Sequence, residues 1–131
     1  MRKSILSSAL RLSAPALLAG LVLPTTAMAH PRLVSASPAA EAMVSSPTNI
    51  TLTYSEDLVA PLSGIELTMT GMPGMANHKP MPVKGFATKV TGKTLTVTLP
   101  RPLPAGTYHL TWHVVAADQH RIEGAYSFKV K

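Results

Sequence analysis

The chain has 131 residues, with 12 Lys/Arg against 6 Asp/Glu, for a formal charge of +6. Three of the cations (Arg2, Lys3, Arg11) precede His30 and all the acids follow it, so residues 30–131 carry nine cations against six acids, a net +3, with no Lys/Arg cluster of the kind that binds nucleic acid. The absence of cysteine excludes disulfides, thiolate zinc sites, iron–sulfur clusters and blue-copper sites, and leaves any metal to His, Asp, Glu, Met or a free amine.

The first 29 residues read as a secretory signal peptide. A basic start is followed by the apolar stretch Leu12–Leu23 and then by the small-residue motif Ala27-Met28-Ala29. The apolar run of about a dozen residues falls short of the roughly 20 that a membrane-spanning helix needs. A cut after Ala29 leaves residues 30–131, enough for one domain with one core, in an exported compartment.

After His30 the sequence predicts short strands. The segment Arg32–Ser37 is a weak candidate. Ile50, Leu52 and Tyr54 then alternate with polar neighbours, as do Ile65, Leu67 and Met69. Val83–Val90 is a second weak candidate, followed by clear alternation at Leu95, Val97 and Leu99, at Tyr108, Leu110, Trp112 and Val114, and at Tyr126, Phe128 and Val130. A period of two marks strands with one buried face, and the prolines and glycines between these runs mark turns. About seven strands in about 100 residues predict an all-β fold, an immunoglobulin-like or cupredoxin-like Greek-key sandwich or barrel. The run "LPAGTYHLTW" places Tyr108 where such sandwiches carry a tyrosine corner.

Two clusters are not accounted for by a core. In "MTGMPGMANHKPM", Met69, Met72, Met75, His78 and Met81 recur at every third residue. Pro73, Gly74 and Pro80 exclude a continuous helix, so the side chains converge either along an extended polyproline-like segment or around a bend. Thioether sulfur is a soft donor suited to Cu(I). Gap-filling in the core is the competing role, and it suits Met69, which ends an alternating strand.

The second cluster is Asp118 and His120 in "AADQHRIEG". Two residues apart in an extended segment, they point the same way. A cut after Ala29 adds His30 to them: the new α-amine and the imidazole Nδ1 together chelate one metal. The resulting nitrogen/oxygen set favours Cu(II). His109 and His113, on one face of a strand, are expected to be ordinary surface residues.

With these stretches in view, the chain resembles the CopC/PcoC family of periplasmic copper-resistance proteins. The matching segments are "HPRLVSASPA", "YSEDL", "MTGMPGMANHKPM" and "DQHRIEGAYSFKVK". The resemblance implies a Greek-key β-barrel, a Cu(II) site at His30, Asp118 and His120, and a Cu(I) site at Met69, Met72, Met75, His78 and Met81. Glu56 matches a family acid and is expected to be structural or peripheral. The implied activity is copper carriage without catalysis, by a monomer when metal-free, with delivery to an inner-membrane copper transporter or a periplasmic copper oxidase. Two other functions compete: a copper oxidase or oxygenase with an N-terminal His ligand, and an immunoglobulin-like module that binds no metal. The small number of aromatic residues, with one Trp, three Tyr and two Phe, offers little surface for a polysaccharide substrate.

Overall fold

The computed structural model describes residues 19–22, 30–75 and 78–131. The expected signal peptide lies outside these residues except for its 19–22 segment, and no described helix is long and apolar enough to cross a membrane. Among the described residues nine strands form: β1 (Leu33–Ser37), β2 (Met43–Val44), β3 (Asn49–Tyr54), β4 (Gly64–Gly71), β5 (Met81–Pro82), β6 (Ala87–Thr91), β7 (Thr94–Thr98), β8 (Gly106–Val115) and β9 (Arg121–Val130). They make two sheets, one of order β1-β3-β7-β6 and one of order β2-β9-β8-β4-β5. All neighbours are antiparallel except β2 and β9.

The alternating residues fill the space between the sheets. Ile50, Leu52 and Tyr54 from β3 and Leu95 and Val97 from β7 face Ile65, Leu67 and Met69 from β4, with Tyr108, Leu110, Trp112 and Val114 from β8 and Phe128 and Val130 from β9. Tyr126 is only partly buried and packs at the margin. No polar or charged residue is buried among the described residues, so the core is held by apolar burial and by the ladders around it. Tyr108 donates its hydroxyl hydrogen to the Pro104 carbonyl at 2.7 Å, closing the expected corner, and burial pushes its phenol up to about 12.

The structure corrects one strand. Of the expected run Val83–Val90 only Ala87–Val90 is strand, within β6; Met81–Pro82, just before the run, pairs with β4, and the chain crosses from there to β6 in the other sheet. Gly85 lies between them at φ +82°, a conformation that a side chain with a Cβ adopts only at a cost.

At Gly124 the constraint is space. It lies opposite Trp112 across β8 and β9, and an added Cβ would come within 2.6 Å of the indole Cε2. The ring cannot retreat freely, because it is buried and also meets the Tyr54 ring edge-on at a centroid distance of 5.2 Å. Gly124→Ala is therefore expected to cost about 1–3 kcal/mol by overpacking. Urea titration followed by Trp112 fluorescence measures this, and an unchanged midpoint would contradict the packing described.

Candidate metal centre

Strands β8 and β9 pair from Gly106–Val130 to Val115–Arg121, and the loop between them carries Asp118 and His120. The loop closes by a turn in which the Gln119 N–H donates to the Ala116 carbonyl at 2.9 Å, with Gln119 at φ +66°. Asp118 then caps it. Its Oδ1 accepts the His120 backbone N–H at 3.1 Å, and its Oδ2 accepts the His120 Nδ1–H at 2.9 Å. The expected juxtaposition of these two residues is present, but it arises from this aspartate turn and not from strand alternation.

Both bonds favour the charged carboxylate. The side-chain bond from His120, then its backbone N–H, hold the Asp118 carboxyl below the usual carboxylate range, and His30 adds a smaller effect of the same sign. An ionised carboxylate only accepts hydrogen bonds, so His120 presents its proton at Nδ1 and, when neutral, its lone pair at Nε2.

His30 reaches this loop from the start of the other sheet. Pro31 is fully buried, and β1 begins two residues later, with Leu33 opposite Tyr54. Ser55, which the sequence analysis did not single out, holds the approach. Its Oγ accepts the Arg32 N–H at 2.9 Å, its own N–H donates to the Arg32 carbonyl at 2.9 Å, and its hydroxyl lies 3.5 Å from the His30 carbonyl. The His30 and His120 rings then lie 5.1 Å apart between centroids. One ligand atom from each of His30, Asp118 and His120 falls within 4.8 Å of the others, and all three residues are exposed. Among the described residues this is the one such cluster of three or more His, Asp or Glu; His109, His113 and Glu56 join none. His109 instead places its Nδ1 3.0 Å from the Ser127 hydroxyl.

The methionine segment is bent. Met72 and Met75 exchange backbone hydrogen bonds of 3.0 and 2.9 Å around Pro73-Gly74, with Gly74 at φ +78°. Pro followed by a left-handed Gly is the signature of a type II turn. Residues paired in this way project their side chains to the same face, so two thioethers stand side by side. Met81 on β5 lies opposite Met69 on β4, giving a second pair. The pairs differ in burial. Met69 is 7% exposed and belongs to the core, whereas Met72, Met75 and Met81 are 38%, 55% and 46% exposed.

His78 follows the turn, and Ala76 and Asn77 between them lie outside the described residues. The His78 Nδ1–H donates to the Lys79 carbonyl at 2.7 Å, which directs the Nε2 lone pair away from the backbone. That Nε2 is buried and has no partner among the described residues. A buried acceptor left without a hydrogen is a costly arrangement in a protein but an available one for a metal.

The comparisons with known proteins agree with this architecture. Residues 33–131 match the CopC domain. Copper resistance protein C of Escherichia coli is 48% identical over 107 residues, which cover 81% of this chain and 85% of that protein. Copper resistance protein C of Xanthomonas campestris pv. juglandis is 50% identical over 107 residues, covering 81% and 84%. Among solved structures, PcoC, a methionine-rich copper resistance protein from Escherichia coli, superimposes with a TM-score of 0.69 at 44% identity, covering 79% of this chain and all of that one. On the matched domain, on relatives at about half identity and on a shared β-sandwich, the chain belongs to the CopC domain family.

Proposed function

We propose that this protein binds and carries copper in copper resistance, with Cu(II) held by His30, Asp118 and His120 and Cu(I) held by the methionine segment. The observation that carries the reading is the approach of His30 to Asp118 and His120 from opposite sheets, to within 4.8 Å. Two imidazoles and a carboxylate form a nitrogen/oxygen set of the kind that Cu(II) prefers. Met72, Met75 and Met81 with His78 form a soft set suited to Cu(I), which Met69 closes from the core side. The names of the relatives, which are copper resistance proteins, support the same cargo.

The reading includes export to the periplasm and a cut after Ala29. The PcoC chain, matched along its full length, corresponds to 79% of this one, close to the 102 of 131 residues that follow Ala29. In the uncut chain the His30 nitrogen is an amide, and the cut turns it into a further ligand. The protein acts as a carrier without chemistry of its own. It passes copper to an inner-membrane transporter or a periplasmic oxidase, and it is monomeric when metal-free. Electron paramagnetic resonance of the cut protein with one equivalent of Cu(II) tests the first site. Nitrogen hyperfine structure that loses the contribution of one imidazole in His120→Ala is expected, and a spectrum unchanged by that substitution would refute the assignment.

Acid separates the two sites. Imidazoles and an α-amine must shed protons to bind metal, and groups of these kinds exchange protons between about pH 5 and about pH 8. Asp118, its carboxyl pKa lowered by His120, stays ionised through that window and adds no proton competition there. Cu(II) affinity therefore falls steeply as pH drops through the window. Cu(I) affinity falls less, since thioethers take up no proton and the soft set contains a single imidazole. Competition titrations at several pH values measure both slopes, and parallel slopes would contradict the ligand assignment.

A further inference from the structure

From the exposure and pairing of the loop thioethers we infer that Met72, Met75 and Met81 form a peroxide-sensitive modification site, whose conversion to sulfoxide releases the soft metal and leaves the His30–Asp118–His120 site intact. The inference rests on the reading of this segment as a soft-metal site. It adds a chemical event that switches that site off.

The three sulfur-bearing side chains are 38%, 55% and 46% exposed, and Met69 beside them is 7% exposed. Oxidation of methionine follows access. The turn at Pro73-Gly74 holds Met72 and Met75 together at the surface, so both are open to the same small oxidant. In the reaction a thioether sulfur attacks one oxygen of hydrogen peroxide. An S–O bond forms and the O–O bond breaks. Sulfur loses two electrons, and the other oxygen leaves as water after proton transfer through solvent. The product presents a hard oxygen in place of a soft sulfur lone pair, and a soft monovalent ion loses its preferred donor. The nitrogen and oxygen donors of the other site contain no thioether and are not changed.

The chain carries its own control. Met43 on β2 is 61% exposed, more than any of the three, and it pairs with Lys129 at the far edge of the β2-β9-β8-β4-β5 sheet. It should oxidise as readily and with no consequence for metal.

The test uses protein beginning at His30, since every described strand lies at or beyond Leu33. Ag(I) serves as the soft monovalent probe because it does not cycle with peroxide. The protein is treated with hydrogen peroxide, mapped by peptide mass spectrometry and titrated with Ag(I) and Cu(II). The expected result is sulfoxide at Met43, Met72, Met75 and Met81 but not at Met69, with at least a tenfold loss of Ag(I) affinity and unchanged Cu(II) affinity. Methionine sulfoxide reductases A and B together restore Ag(I) binding, and bound Ag(I) protects the three loop methionines but not Met43. The Met43→Leu variant responds identically. Full oxidation of the loop with unchanged Ag(I) affinity would overturn the inference while leaving the soft site standing. Untreated protein that fails to bind Ag(I) would overturn both.

Discussion

Protein that begins at His30 will bind Cu(II) more than about 100-fold more tightly than the same protein with one glycine added before it, since losing even the groups that only orient a metal ligand costs about 10–100-fold. The added residue turns the His30 amine into an amide, a group that does not bind Cu(II) near neutral pH without losing a proton. The five-atom reach from that nitrogen through the side chain to Nδ1 then closes a chelate only at the expense of the amide proton. The rest of the site is untouched. Pro31 remains buried, Ser55 still holds Arg32 on both sides, and Asp118 still fixes His120 through two hydrogen bonds. Stability should therefore stay within about 0.5 kcal/mol, as for a surface change. Calorimetric competition titration of the two proteins, with urea midpoints measured in parallel, checks both statements. Equal Cu(II) affinities would remove the amine from the site.

Replacing Met72, Met75 and Met81 together by Leu is the second large effect. Each change roughly keeps volume and removes sulfur, and all three side chains are more than a third exposed. The turn at Pro73-Gly74 depends on backbone bonds and on the left-handed glycine, neither of which the substitution alters. Cu(I) affinity should fall by about 100-fold or more, about 2.7 kcal/mol, with Cu(II) affinity unchanged. Titration under argon against a Cu(I)-specific chelator measures it. A triple variant that keeps Cu(I) but melts earlier would return these methionines to a packing role. The single variant Met69→Leu discriminates further: Met69 is buried against Leu67 and Tyr108 in one core, so its loss is expected to affect stability as well as metal.

The strands were legible where one face is buried and the other is wet. Ile50-Thr-Leu-Thr-Tyr54 and Thr94-Leu-Thr-Val-Thr98 state that alternation directly, and the two pair with each other in the β1-β3-β7-β6 sheet. Met43–Val44 and Met81–Pro82 are two residues long, too short to carry any period, and the sequence analysis missed them as strands. Strand β9 begins at Arg121, well before the Tyr126 where alternation becomes visible, because Gly124 leaves the space that the large Trp112 opposite it occupies. The pattern there is written in the pair and not in either strand alone.

The candidate site was legible in its residue types and not in its construction. Asp118 and His120 stand out by their chemistry and spacing, but the turn that joins them depends on a left-handed Gln119, which no local composition announces. Ser55 acts on a backbone 23 residues away, so its role exists only once β1 and β3 have paired. The methionine repeat was visible as a repeat. Its division into an exposed Met72–Met75 pair and a Met69–Met81 pair spanning core and surface follows from the turn and from β5.

The most direct test of two separate copper sites is a paired titration of protein cut after Ala29, with Cu(I) under argon and Cu(II) in air, each performed with and without one equivalent of the other ion. The account predicts one equivalent of each, with affinities that do not depend on whether the other ion is bound. A single shared equivalent, in which either ion displaces the other, would contradict it.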